Sequence, residues 1–272
     1  MEIGLDIGSS YVKAVSLNND NGIAEKYIQK TGFSYHSAAT QLIEHFKSSP
    51  AALGVTGYGK NQWQNNQAKE SGINTGIPLV YKTEISALAR AMNHLGFQDG
   101  TLVDIGGQDC KILKIKNGKL IEHALNRRCA AGTGSYLEFT GFRMGLEPGK
   151  MSEIAAQEKE YYPLNSFCTV FAGTEILDFI KKNVPLPKLI RGLYASIVER
   201  VREIAALDSP IFLSGGVIAY HPVLLELFQT ILGTEAHVTV VPDPQYMAAL
   251  GIAIYAKDKT LSIIENDKGD EA

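Results

Sequence analysis

With 272 residues, 45% of them hydrophobic and 20% charged, the chain has an ordinary globular balance and enough length for two medium domains. A net charge of -3 excludes a protein that recruits nucleic acid by a basic surface, and no apolar run approaches the roughly 20 residues that span a bilayer. Three cysteines do not make a disulfide framework, and the opening MEIGLDIGSS enters a strand with no basic stretch or cleavage site, so a cytoplasmic location is expected.

In chain order, an apolar strand at 3–7 closes on Asp6-Ile7-Gly8-Ser9 and a second strand-like run follows at 12–17. Ala38, Leu42, Ile43 and Phe46 fall at helical spacing and predict a helix over 37–47, before a strand at 51–56 and a turn at Gly57-Tyr58-Gly59. Ile85, Leu88, Ala89 and Met92 share one stripe of a helix over 82–95. The glycine-bounded stretch 96–100 then marks a domain boundary. Beyond it the scheme repeats, with strands at 101–106 and 110–116, the first of them closing on Asp104-Ile105-Gly106-Gly107. A third strand is predicted over 121–126, then helices over 134–144, 151–158, 169–182 and, past Pro185 and Pro187, 188–206. An apolar strand at 210–214 runs into Gly215-Gly216, followed by a helix over 222–232, a strand at 238–241 and an apolar helix over 245–256. The last residues, 269–272, read as a frayed acidic tail.

The predicted class is therefore α/β, with mixed sheets covered by helices. The first domain spans 1–96, with the helix at 245–257 returning to it, and the second spans 100–244. Two hairpins with an acid at the bend, one in each half, indicate domain duplication. Facing each other, they would hold a polyphosphate. Glycine lets backbone N–H groups approach phosphate, and a carboxylate beside them holds hydrated magnesium. A single such turn is explained by hairpin chemistry alone, since Asp and Gly are ordinary turn residues; the pair is the signal. Ser214-Gly215-Gly216-Val217, at a strand C-terminus, is a third wall or simply a tight turn.

The order DIGS, DIGGQD, LSGGV is similar to the actin, sugar kinase and Hsp70-type ATPase superfamily. That resemblance implies two ribonuclease-H-like domains with Mg-ATP in the cleft between them. A closer resemblance covers nearly the whole chain. Thr56-Gly57-Tyr58-Gly59-Lys60-Asn61, Asp104-Ile105-Gly106-Gly107-Gln108-Asp109, Cys129-Ala130-Ala131-Gly132-Thr133-Gly134, Cys168-Thr169-Val170-Phe171-Ala172 and Ala249-Leu250-Gly251-Ile252-Ala253 resemble the BadF/BadG/BcrA/BcrD-type ATPases, activators of 2-hydroxyacyl-CoA dehydratases.

What the resemblance implies is an ATP-hydrolysing iron–sulfur protein of anaerobic metabolism. It would pass one electron from a ferredoxin or flavodoxin to a dehydratase or reductase acting on CoA thioesters. One 4Fe–4S cluster would bridge two identical subunits, with Cys129 and Cys168 as its ligands. The chemistry of those residues agrees. Both precede predicted helices, whose N-termini favour thiolates, and four thiolates are needed where one chain offers two. Structural cysteines, or a redox disulfide, are the alternatives. Cys110, inside a strand, reads as a packing residue.

In the ATP/ADP site, Asp6 and Asp104 are expected to be magnesium carboxylates, and the amides of Gly8, Ser9, Gly106 and Gly107 to hold phosphates. Ser10 adds a hydroxyl, and Lys13 either reaches a phosphate or faces solvent. Gln108 orients the attacking water, Asp109 serves metal binding or positioning, and Gly215, Gly216 and Val217 pack on adenosine. Glu84, on a helix, has no assigned role. Three places depart from the family pattern: Arg127-Arg128, Gly173-Thr174-Glu175 and Ile218-Ala219-Tyr220. A small-molecule kinase of the same superfamily, without a cluster and with Asp109 as general base, is the rival reading.

Overall fold

A computed structural model describes residues 1–69, 77–126, 132–164 and 169–269, with only the backbone course given for 67–69, 169–173 and 263–269. Its contacts divide the chain into two compact units, Met1–Gln98 with Tyr246–Ala272, and Asp99–Gln245.

The first unit holds β1 (Glu2–Ile7), β2 (Tyr11–Leu17), β3 (Ile23–Lys30), α1 (Tyr35–Ile43), β4 (Ala52–Thr56), α2 (Lys60–Lys69), β5 (Leu79–Tyr81) and α3 (Glu84–His94). Its sheet runs β3-β2-β1-β4-β5, antiparallel from β1 to β2 and β2 to β3, parallel from β1 to β4 and β4 to β5. Central β1 and β4 read as continuous apolar runs because both their faces are covered. Three of these elements are absent from the expectation. β3 is a half-exposed edge strand carrying Glu25, Lys26 and Lys30, α2 is almost wholly polar with Trp63 as its buried anchor, and β5 has three residues. None offers a clear apolar period.

The second unit holds β6 (Gly100–Ile105), β7 (Cys110–Lys116), β8 (Lys119–Asn126), α4 (Gly134–Met144), α5 (Pro148–Ala155), α6 (Thr169–Lys181), α7 (Leu186–Ile204), β9 (Ile211–Ser214), α8 (Gly216–Tyr220), α9 (Val223–Leu232) and β10 (Val238–Val240). Its sheet runs β10-β9-β6-β7-β8, the same order and strand directions as the first. Apolar faces of α7 and α9, including Ile190, Tyr194, Ile197, Leu224 and Phe228, fill its core. Each such side chain contributes about 1.5–3 kcal/mol on burial. Arg191 is buried among them, and its guanidinium donates to the carbonyls of Ala155 and Lys159 and to Glu226.

The last helix, α10 (Met247–Gly269), extends well beyond the expected 256 and packs on β1, β4 and α3 of the first unit. Glycine makes this close approach possible. A Cβ on Gly4 would stand 2.0 Å from the Ala249 carbonyl, and one on Gly54 would stand 2.3 Å from that of Ile252. Among the described residues no helix is long and apolar enough to cross a membrane.

Candidate functional site

Each unit carries the same device at the same place in its sheet. In the first hairpin Asp6 pairs across the strands with Lys13, and Lys13 Nζ lies 3.0 Å from Asp6 Oδ2. In the second, Asp104 pairs with Lys111, whose Nζ lies 3.4 Å from Asp104 Oδ2. Both turns close alike, with Gly8 N–H donating to Tyr11 O at 3.1 Å and Gly106 N–H to Asp109 O at 2.9 Å. This corrects one expectation. The amides of Gly8 and Gly106 are spent inside their turns and are not open to a phosphate.

The fourth strand completes the device. In parallel register β4 sets Thr56 beside Asp6, and β9 sets Ser214 beside Asp104. A glycine follows each hydroxyl residue, Gly57 at φ +93° and Gly215 at φ +99°. A Cβ on Gly57 would lie 2.6 Å from the Ile7 carbonyl oxygen, and one on Gly215 would lie 2.3 Å from that of Ile105. Only glycine meets both the left-handed backbone and the contact.

The two copies differ in how the aspartate is satisfied. Ser214 Oγ donates to Asp104 Oδ1 at 2.7 Å, so both oxygens of Asp104 are occupied. Thr56 Oγ1 instead donates to the Lys82 carbonyl at 3.1 Å. Asp6 is 3% exposed, and its Oδ1 is buried without a hydrogen-bond partner, beside Gly57. A buried carboxylate oxygen in this condition demands a cation or a donor. The observation fits a magnesium ion or its water at Asp6 and disfavours Asp104, which already has its partners.

The second cradle has two further supports. Lys111 Nζ also lies 2.6 Å from Asp109 Oδ1. The first turn of α4 is docked on the glycines: Gly134 N–H donates to Gly106 O at 3.0 Å, and Ser135 N–H and Oγ–H both donate to Gly107 O at 2.8 Å.

Of the remaining expected residues, Ser9 and Ser10 sit half-buried in the first turn and Gln108 is exposed in the second. Gly216 and Val217 begin α8. Cys129 and Cys168 lie outside the described residues; α6 begins at Thr169. Cys110 is buried in the second core, and burial first, then the Asp104 charge, pushes its thiol up, so it stays neutral. The sequence reading missed Lys111, Thr56 and the likeness of Thr56-Gly57 to Ser214-Gly215. Two signals were present, a lysine seven residues after the acid in both halves and a hydroxyl residue plus glycine ending the fourth strand of each.

Two sheets of one strand order, each with an acid–glycine hairpin, define an α/β ATPase built from two ribonuclease-H-like units, the actin-like fold. The structure aligns with that of the activator of the 2-hydroxyisocaproyl-CoA dehydratase from Clostridium difficile with bound ADPNP at a TM-score of 0.82 and 26% identity, covering 97% of each chain. The chain matches the BadF/BadG/BcrA/BcrD ATPase family over residues 3–256 and belongs to that family. It is 29% identical over 268 residues to the 2-hydroxyisocaproyl-CoA dehydratase activator of Clostridioides difficile, covering 94% of this chain and 95% of that one. It is 28% identical over 266 residues to the (R)-2-hydroxyglutaryl-CoA dehydratase activating ATPase of Acidaminococcus fermentans, covering 94% and 97%.

Proposed function

We propose that this chain is an ATP-hydrolysing iron–sulfur activator that delivers one electron to a 2-hydroxyacyl-CoA dehydratase or a related CoA-thioester reductase. The observation that carries the nucleotide half is the duplicated cradle with its buried, unpartnered Asp6 oxygen. The electron-transfer half rests on the relatives' named role and on the two cysteine motifs.

In this reading Asp6 Oδ1 receives magnesium or its water, and Lys13 adds positive charge beside it. The amides after Gly8 and Gly106 donate to phosphate oxygens, Gln108 and Asp109 face the attacking water, and Gly216 and Val217 adjoin the adenosine. Magnesium, when bound, neutralises charge on the phosphates. Cys129 and Cys168 supply two of four thiolates, and a second copy supplies the others, so the working form is a homodimer in an anaerobic cytoplasm, reduced by a ferredoxin or flavodoxin. The carbonyls of Gly106 and Gly107 tie the nucleotide turn to α4, and the segment just before that helix carries Cys129.

Anaerobic purification with iron and sulfide analysis tests the reading, followed by EPR with MgATP and with MgADP. The expected result is about four iron and four sulfide per dimer, as the cluster type requires, and a nucleotide-dependent signal. A dimer without iron, or a cluster retained in Cys129→Ala, overturns it. Phosphorylation of a small hydroxylated acceptor without iron would instead identify a kinase.

A further inference from the structure

Lys111 is the one lysine counted as buried among the described residues, with its side chain 1% exposed. An ammonium at that depth is tolerated only when paired and hydrogen-bonded, and here two carboxylates meet it. The contacts are unequal, 2.6 Å to Asp109 Oδ1 against 3.4 Å to Asp104 Oδ2. The corresponding lysine of the first unit, Lys13, is 17% exposed, and Tyr11 occupies the place that Asp109 holds in the second. Shared ancestry of the two hairpins therefore does not account for the Lys111–Asp109 contact.

Asp109 is held at both ends. Its carbonyl accepts from Gly106 N–H, its carboxylate meets Lys111, and its side chain still reaches solvent at 23% exposure. Asp104 has a different post: Ser214 takes one of its oxygens and Lys111 faces the other.

We propose that Lys111 is a positioning residue, which fixes the Asp109 carboxylate over the second cradle, with Asp104 as the buried counter-charge that keeps the ammonium in place. Asp109, and not Asp104, is then the carboxylate of this unit that works on the phosphoryl reaction. The proposal rests on the ATPase reading above.

The test uses the full-length protein with Lys111→Met, Asp109→Asn and the double variant, reading ATP hydrolysis and ADP binding by calorimetry. Misplacing a reacting group by about 1 Å costs up to about a hundredfold. Lys111→Met is thus expected to lower kcat at least about tenfold, with ADP affinity held within about threefold. The double variant should be no slower than Asp109→Asn, since one group acts through the other. Wild-type kcat in Lys111→Met, multiplying losses in the double variant, or ADP affinity falling in step with kcat each overturn the proposal; the last would make Lys111 a phosphate ligand. If Lys111→Met does not fold, Lys111→Arg keeps the charge and moves the carboxylate. Reduced kcat at unchanged ADP affinity then supports the proposal, and wild-type kcat overturns it. If the wild-type protein hydrolyses no ATP, the ATPase reading fails. The Lys111–Asp109 clamp is then judged by thermal unfolding of the three variants, where non-additive midpoint shifts support it and additive shifts overturn it.

Discussion

Asp6 and Asp104 occupy matching places, yet their substitution by asparagine should have opposite signatures. Asp6→Asn keeps the shape and leaves Lys13, at 17% exposure, able to hydrate. Unfolding stability should fall less than in Asp104→Asn, because the substitution also removes the charge from a buried oxygen that has no hydrogen-bond partner, while magnesium-dependent ADP binding weakens at least about tenfold, the loss of one charged contact. Asp104→Asn removes one carboxylate from a lysine that is 1% exposed. Breaking a buried pair costs about 3 kcal/mol, so the loss there is expected in urea unfolding, with nucleotide affinity less affected. Equal losses of affinity in both variants would contradict the assignment of the open oxygen to Asp6. The aspartates themselves were legible in the sequence, because an acid beside glycine at a strand end is a local pattern. Their difference was not, since it depends on which acceptor the hydroxyls of Thr56 and Ser214 choose, the Lys82 carbonyl past the neighbouring strand in one unit and the aspartate itself in the other.

Legibility at the level of elements followed apolar periodicity. Helices α4, α7, α9 and strands β1, β2, β6, β7 and β9 emerged from the sequence within a few residues because each buries a patterned face. Several starts differ where a local signal outranks the pattern, α1 among them, which begins at Tyr35 behind Ser34, whose side chain accepts from Ser37 N–H, and not at the expected 37. Pro148 in the first turn of α5 begins that helix before the expected 151, and Thr83, whose Oγ1 accepts from Ser86 N–H, begins α3 after the expected 82. β3, α2 and β5 escaped because their stability comes from neighbouring strands and a single buried Trp63, not from their own composition. The seat of α10 is the element-level feature most open to test. Gly54→Val sets a branched side chain against the α10 backbone, where even a Cβ would stand 2.3 Å from Ile252 O. Overpacking of this kind costs about 1–3 kcal/mol or more, and the expected result is a lowered unfolding midpoint with increased proteolysis of the C-terminal helix. A midpoint equal to wild type would mean that the helix sits elsewhere in solution.

For the molecule as a whole, duplication was visible from two hairpins, but its extent was not. The strand orders, the registers and the paired Thr56-Gly57 and Ser214-Gly215 steps show that five strands were copied, while the helical cover diverged. One consequence of that divergence is a pH response seated at a buried histidine of the second unit. Burial pushes His221 down to about 4, and its Nδ1 lies 2.9 Å from the Tyr194 hydroxyl. In the unfolded chain a histidine titrates near about 6.5. Below that pH the unfolded state takes up a proton that the folded unit refuses. The contribution is therefore complete above about pH 6.5 and falls by up to about 1.4 kcal/mol per pH unit toward about pH 4. Urea unfolding at about pH 7.5 and about pH 5 checks this, and His221→Gln should flatten the slope; an unchanged slope would assign the effect to other groups.

The docking of α4 on the second cradle has a further electronic consequence. A trans peptide unit is planar, with its C=O and N–H directed oppositely, so the Gly106 carbonyl shares a plane with the Gly107 amide and the Gly107 carbonyl with the Gln108 amide. Both carbonyls accept from the first turn of α4, at Gly134 and Ser135. Hydrogen bonds in series polarise one another, and a helix N-terminus carries positive partial charge. The Gly107 and Gln108 amides thus receive the helix's field through two peptide planes, as relays that make them better donors to an anion than the same amides in an isolated hairpin.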